Sequence, residues 1–234
     1  MMSKVDIGII GAMQVEIDGL KALMENEVTI NISGIEFVKG EILGKTVVTA
    51  VCGIGKVFSA VCAQTMILGF KPDVIINTGV AGSLSDELSI GDIAIADRVV
   101  QHDIDTTALG DEPGLISGLN LVYIPTDTKI SSILMDSVEE LGLHCEVGTI
   151  ATGDCFINDN EKKQSIIDKF SAIACEMEGG AIAQACYIND VRFSIIRAIS
   201  DGGDENSHTD YSAFMKKAAE TSIEVIKMFI SRWN

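Results

Sequence analysis

Along this chain the apolar positions fall into two alternating patterns. Short β-branched runs give way to longer stretches in which apolar residues recur every three or four positions. Val5 to Ile10 is an apolar run broken only by Asp6 and stopped by Gly11, which predicts a strand buried on both faces. From Val15 to Met24, Ile17, Leu20 and Leu23 or Met24 share one face, so a helix is expected. Residues 28 to 52 read as three short strands with turns at Ser33-Gly34 and Gly44-Lys45. A helix over Lys56 to Phe70 is entered through "GIGK", and the strand "DVIIN" is expected to end in the turn "TGVAGS".

The second half repeats this logic. Ile93 to Val100 is strand-like, and the polar, glycine-bearing stretch from His102 to about Asn120 is the best candidate for a long functional loop. A helix from about Lys129 to Leu141, the strand "VGTIATG" and a charged helix over Asn160 to Lys169 follow. Then come a strand over Ala172 to Cys175, a helix over Gly179 to Cys186 and the strand "RFSIIRAIS". The last helix is expected from about Asp210 to Arg232, with Tyr211, Phe214, Ala218, Val225, Phe229 and Trp233 along its apolar face. Alternating strands and helices predict an α/β protein, a three-layer α/β/α sandwich, and the early hairpins make its central sheet mixed. With no linker-like stretch or repeat, residues 1–234 are expected to form one domain.

Composition narrows the function. With 47% hydrophobic residues in 234, the chain has enough apolar surface for an ordinary core. Its net charge of -17 repels nucleic acid and anionic membrane surfaces, so neither is an expected partner. No apolar run approaches the roughly 20 residues that span a bilayer, and the N-terminal apolar run makes a poor signal peptide. The six cysteines show no CxxC pair and sit among apolar or small residues, which suits reduced core thiols and a cytoplasmic setting. His102, His144 and His208 lack ligand-like spacing, so no metal and no cofactor is expected.

In α/β sheets, ligands bind beyond the carboxyl ends of strands. Those ends carry Ala12, Met13 and Glu16 after the first strand, then Thr78, Gly79, Val80 and Ala81, then Asp154, Phe156 and Ile157. Glu176, Met177 and Glu178 follow the next strand, and Ser200 and Asp201 the last. Carboxylates gathered without cations suit a neutral, hydroxylated substrate, and glycosidic cleavage fits: one carboxyl protonates the leaving group and another activates water. Each residue also has a structural reading. Glu16 would complement a helix dipole, Glu176 and Glu178 would cap a helix, Asp201 would serve a turn, and Phe156 would pack in the core. "CGIGK" lacks the Walker spacing and reads first as a close strand-to-helix turn.

The order and spacing of "IGIIGAM", "GIGKV", "PDVIINTGVAG", "GDIAIAD", "HD", "TGDCFIN", "EMEGGAIA", "RAISD" and the following "SH" resemble the 5′-methylthioadenosine/S-adenosylhomocysteine nucleosidases of the nucleoside phosphorylase/hydrolase superfamily. The resemblance runs from Val5 to about Phe229. It implies a homodimer and hydrolysis of the N-glycosidic bond of an adenine nucleoside. By motif, Glu16 would activate water and Asp201, steadied by Ser200, would protonate adenine at N7. Glu178, supported by Met177, would bind ribose hydroxyls, with Glu176 turned more into structure. Phe156 would stack on adenine and the Ile157 backbone would read its edge. Ala12, Ile54, Val80, Ala81, Gly82, Glu176, Arg197 and Tyr211 complete the substrate-facing set. Thr106 and Leu109 occupy the loop that would reach across the dimer to the 5′ substituent. Val80 stands where relatives often carry serine, and Tyr211 where they carry phenylalanine. A phosphate-dependent purine nucleoside phosphorylase, a futalosine-type nucleosidase and a catalytically weak nucleoside-binding protein remain alternatives.

Overall fold

The computed structural model describes residues 4–234. Its strands are β1 (Ile7–Gly11), β2 (Glu25–Ile32), β3 (Ile35–Ile42), β4 (Lys45–Val51), β5 (Val74–Ser83), β6 (Ile93–Gln101), β7 (Tyr123–Pro125), β8 (Cys145–Thr152), β9 (Ala172–Glu176) and β10 (Arg192–Asp201). Its helices are α1 (Asp18–Lys21), α2 (Lys56–Phe70), α3 (Thr128–Glu140), α4 (Asn160–Phe170), α5 (Gly179–Ile188) and α6 (Ser207–Arg232). In β1, Ile7 and Ile9 enter a core shared with α3 and α6, whereas Ile10 enters a core shared with α2 and α5. β5 alternates in the same way, with Val74 and Ile76 on one side and Ile75 on the other. This period of two, with both faces apolar, produces the three layers.

The sheet order is β10-β6-β8-β9-β5-β1-β4-β3-β2, with β7 on β6. β10 also pairs with β5, in parallel, so β5, β10, β6, β8 and β9 form a closed ring from which β1 and the hairpins extend. The sheet is mixed as expected, but its closure was not legible in the hydrophobic pattern. Closure brings the ends of β5, β9 and β10 together, which is what the site needs.

Two expected elements come out differently. Val15 to Met24 is not one helix: a 3-10 turn at Gln14–Glu16 precedes the short α1. The Glu16 carboxylate folds back onto the Ala12 and Met13 N–H groups, which holds the tight turn in place of a regular helical start. "TGVAGS" is not a turn either, because β5 runs through it. Its glycines admit neighbouring carboxylates: a Cβ on Gly79 would lie 2.7 Å from Glu16 Oε1, and one on Gly82 2.9 Å from Asp201 Oδ1. The 102–120 loop contains a 3-10 turn at Thr107–Leu109 and is pinned by an Ile116–Leu121 bridge. On α6, Phe214 is exposed and Tyr211 half-buried, while Ile223, Ile226 and Ile230 share the buried face with Val225 and Phe229.

Candidate active site

A cavity of about 280 Å³ opens beyond the ends of β1, β5, β9 and β10. Among the described residues, every charged side chain lining it is acidic: Glu16, Glu176, Glu178 and Asp201. Of the residues singled out in the sequence, Ala12, Ile54, Val80, Ala81, Gly82, Phe156, Ile157, Met177, Ser200 and Tyr211 also line it.

Glu16 is held by backbone alone. Its Oε2 accepts from Ala12 N at 2.7 Å and Met13 N at 2.9 Å, and its Oε1 from Val80 N at 3.2 Å. Burial raises its pKa, outweighing the opposing pull of Arg197 and these three N–H groups. A fixed, desolvated carboxylate of enhanced basicity is suited to taking a proton from water.

Asp201 closes β10 at a register shift opposite Ala81 and Gly82. The irregularity re-aims the carboxyl. Ser200 Oγ donates to Asp201 Oδ2 at 2.9 Å, and Gly203 N to Asp201 Oδ1 at 3.0 Å. Gly203 adopts φ +62°, so the "DGG" glycines serve this return of the backbone onto the carboxylate.

Glu178 and Glu176 differ sharply. Glu178 Oε1 accepts from Gly55 N at 2.9 Å, and its pKa is pushed up to about 7, first by burial and then by the neighbouring Glu176 charge. Glu176 Oε2 accepts from Arg197 Nη2 at 2.5 Å and from the Glu178 and Gly179 N–H groups at 3.0 and 2.7 Å; its Oε1 accepts from Thr152 Oγ1. Although Glu176 touches the cavity wall, its acceptors are committed to the protein.

Arg197 corrects the expectation that it faces substrate. It lies beneath the cavity, 1% exposed, bonded to Glu176, the Asn77 carboxamide and the Ile196 carbonyl. Burial alone would lower its pKa, but Glu176, Glu178 and Glu16 outweigh that and raise it. The cation balances the acidic cluster from behind. Asn77, whose Nδ2 donates to Ile10 O at 2.9 Å, was missed in the sequence; a polar residue ending the run "DVIIN" was the available signal.

Phe156 and Tyr211 meet edge to face with centroids 5.7 Å apart, and Tyr211 Oη donates to Met13 Sδ at 3.2 Å. Met13, Cys155 and Cys175 also line the cavity. Met13 is among the residues singled out after the first strand, whereas Cys155 and Cys175 adjoin selected residues but are passed over in the sequence because a thiol reads first as core. Thr106 and Leu109 do not line this chain's cavity. Thr106 Oγ1 donates to Asp111 Oδ2 at 2.7 Å, and Leu109 is 82% exposed.

A closed mixed sheet with an acid-lined cavity at its strand ends defines a phosphorylase-type protein, and the Phosphorylase superfamily model matches residues 6–231. A 5′-methylthioadenosine/S-adenosylhomocysteine nucleosidase from Shewanella sediminis is 43% identical over 218 residues, 92% of this chain and 94% of that protein. The nucleosidase of that name from Neisseria meningitidis, solved with methylthio-immucillin-A, superposes with a TM-score of 0.93 at 33% identity, covering 99% of both chains. Futalosine hydrolase of Helicobacter pylori superposes with a TM-score of 0.92 at 33% identity, covering 98% of this chain and 97% of that one. The chain belongs to the 5′-methylthioadenosine/S-adenosylhomocysteine nucleosidase family of the phosphorylase superfamily.

Proposed function

We propose that this protein hydrolyses the N-glycosidic bond of 5′-methylthioadenosine and S-adenosylhomocysteine, releasing adenine and the 5′-substituted ribose. The observation that carries the reading is that Glu16, Glu178 and Asp201, remote in sequence, line one small cavity. Asp201 protonates adenine at N7, because an adenine anion leaves poorly; a positioned general acid contributes about 10²–10⁴-fold. Glu16 draws a proton from water as it attacks the anomeric carbon. Glu178 binds ribose hydroxyls, and the acidic surroundings stabilise the positive charge that grows on the sugar. Phe156 and Tyr211 supply an apolar wall for the purine and the 5′ end.

The acidic lining favours water over phosphate as the acceptor, since a phosphate dianion needs cations and Arg197 is already paired behind the wall. Release of the free base from methylthioadenosine, S-adenosylhomocysteine, 5′-deoxyadenosine and inosine (adenine from the first three, hypoxanthine from inosine), each with and without phosphate, tests the reading. Phosphate-independent release supports it, and release that requires phosphate overturns it. The likeness to futalosine hydrolase makes futalosine-type nucleosides a second substrate class for the same assay.

The protein acts as a homodimer in this reading. Val57, Phe58, Leu68 and Ile188 expose apolar surface on α2 and α5, and a shallow groove runs between the two helices. Leu109 on the 102–120 loop then reaches the partner's 5′ pocket. Light scattering tests this: the dimer mass is expected for the wild type and the monomer mass for Phe58→Asp combined with Val57→Asp.

A further inference from the structure

Among the described residues Glu178 has one hydrogen-bond donor for its side chain, the Gly55 N–H. Backbone bonds hold the two ends of the turn that carries it, Gly53 N to Ala12 O at 3.1 Å and Ser59 N to Gly55 O at 3.2 Å. Gly53 and Gly55 take φ +92° and +98°, a region open to glycine and costly for other residues. Between those two bonds the glycines leave the direction of the Gly55 N–H to contacts made with the turn from outside it.

A further fastening is a chain of contacts from the 102–120 loop. Asp103 Oδ1 lies 2.6 Å from Lys56 Nζ, and its Oδ2 accepts from Asp154 N at 2.9 Å. Asp154 Oδ1 in turn accepts from Lys56 N at 2.8 Å. A Cβ on Gly55 would lie 3.0 Å from that same oxygen, so the carboxylate is packed against the turn. One carboxylate thus ties the turn after β4 to the turn after β8. Burial works against ionised Asp103, but Lys56 and the Asp154 N–H outweigh it and hold its carboxyl below its usual range.

We propose that Asp103 is a positioning residue for Glu178, acting through Lys56 and Asp154 to hold the Gly53–Ile54–Gly55 turn so that the Gly55 N–H meets the Glu178 carboxylate. This deepens the reading of Glu178 as the ribose ligand and rests on that reading for its kinetic consequence. The charged and titratable groups facing Glu178 come from several elements: Glu176 at the end of β9, Arg197 on β10, Glu16 after β1, Cys52 after β4 and Tyr211 on α6. None of them is altered by changing Asp103.

The sign of the effect separates positioning from electrostatics. Neutralising Asp103 removes a negative charge, and by Coulomb's law alone that lowers the pKa of a nearby carboxyl. Losing the Gly55 N–H raises it. In Asp103→Asn, Glu178 is therefore expected to titrate about one pH unit higher than in the wild type, as the loss of a hydrogen bond to the charged form implies. The readout is carbon-13 NMR of the glutamate side-chain carboxyls, with the Glu178 signal assigned by its absence in Glu178→Gln. Asp154→Asn has the same opposed signs and serves if Asp103→Asn fails to fold. An unmoved or lowered Glu178 titration in a folded variant overturns the proposal, whatever happens to melting temperature.

Kinetics give the second arm. If Glu178 must be ionised to bind ribose, kcat/KM of Asp103→Asn falls roughly tenfold near pH 6 and recovers towards the wild type near pH 9. A uniform loss across pH marks a merely structural role and counts against the proposal. Wild-type adenine release is measured alongside. Its absence would overturn the nucleosidase reading, while the NMR titration still decides the positioning one.

Discussion

Arg197 Nη2 lies 2.5 Å from Glu176 Oε2, and the two side chains are 1% and 2% exposed. The pair lies behind the cavity and links the charge states of its front wall, because Arg197 opposes the burial of both Glu16 and Glu178. A buried ion pair adds little net stability against apolar isosteres, but breaking one side of it strands the other charge.

Arg197→Met is accordingly expected to destabilise the protein by about 3–5 kcal/mol, measured by urea unfolding. The double change Arg197→Met with Glu176→Gln should recover a good part of that loss, because it removes the stranded carboxylate. A double variant no more stable than Arg197→Met would show that the two charges do not act as a pair.

Asp201→Asn should reduce turnover by at least 10²-fold with melting temperature nearly unchanged, because the amide cannot give up a proton yet keeps the shape of the carboxyl. Ser200 and the Gly203 N–H remain in place to hold it. Adenine release near the wild-type rate would remove Asp201 from the mechanism.

Glu178 makes stability depend on pH. Its folded pKa of about 7 exceeds the reference value of 4.5, so the folded state holds a proton that the unfolded state has released across that window. Its contribution to stability is present below about pH 4.5 and is lost as pH rises towards 7. Glu178→Gln should flatten this component and stabilise the unliganded protein by roughly 1–3 kcal/mol at pH 8, while weakening nucleoside binding more than adenine binding. Stability that changes equally with pH in both proteins, or equal affinity losses for both ligands in calorimetry, would contradict the assignment.

Gly79→Ala tests close approach without disturbing backbone conformation. The added methyl would sit 2.7 Å from Glu16 Oε1 and 3.1 Å from its carboxyl carbon. Glu16 must then yield its contact with the Val80 N–H, so kcat is expected to fall about 10–100-fold for a stability loss of about 1–3 kcal/mol. Unchanged kcat would mean that this placement of Glu16 is not required for turnover.

The sequence by itself determined the layers and the choice of acids. Apolar runs such as Ile7 to Ile10 specify strands buried on both sides, and the spacing of apolar residues along α3 and α6 specifies helices to cover them. The strand-end rule also picked out Glu16, Glu178 and Asp201, because an ionisable residue directly after an apolar strand is conspicuous in local sequence. Local pattern stops there. It made "TGVAGS" a turn, since a glycine that frees the backbone and a glycine that makes room for another segment's carboxylate look identical in one dimension. It also offered Arg197 to the substrate, because nothing in "FSIIRAIS" reveals a partner 21 residues earlier in the chain.

Those matters were left to the tertiary structure: β10 closing onto β5, Arg197 passing behind the cavity to Glu176, and Asp103 fastening the turn that meets Glu178. The physical reason is range. Side-chain periodicity is imposed within a few residues by backbone geometry, whereas pairing of charges and admission of a carboxylate beside a glycine depend on distances set only when remote strands pack together.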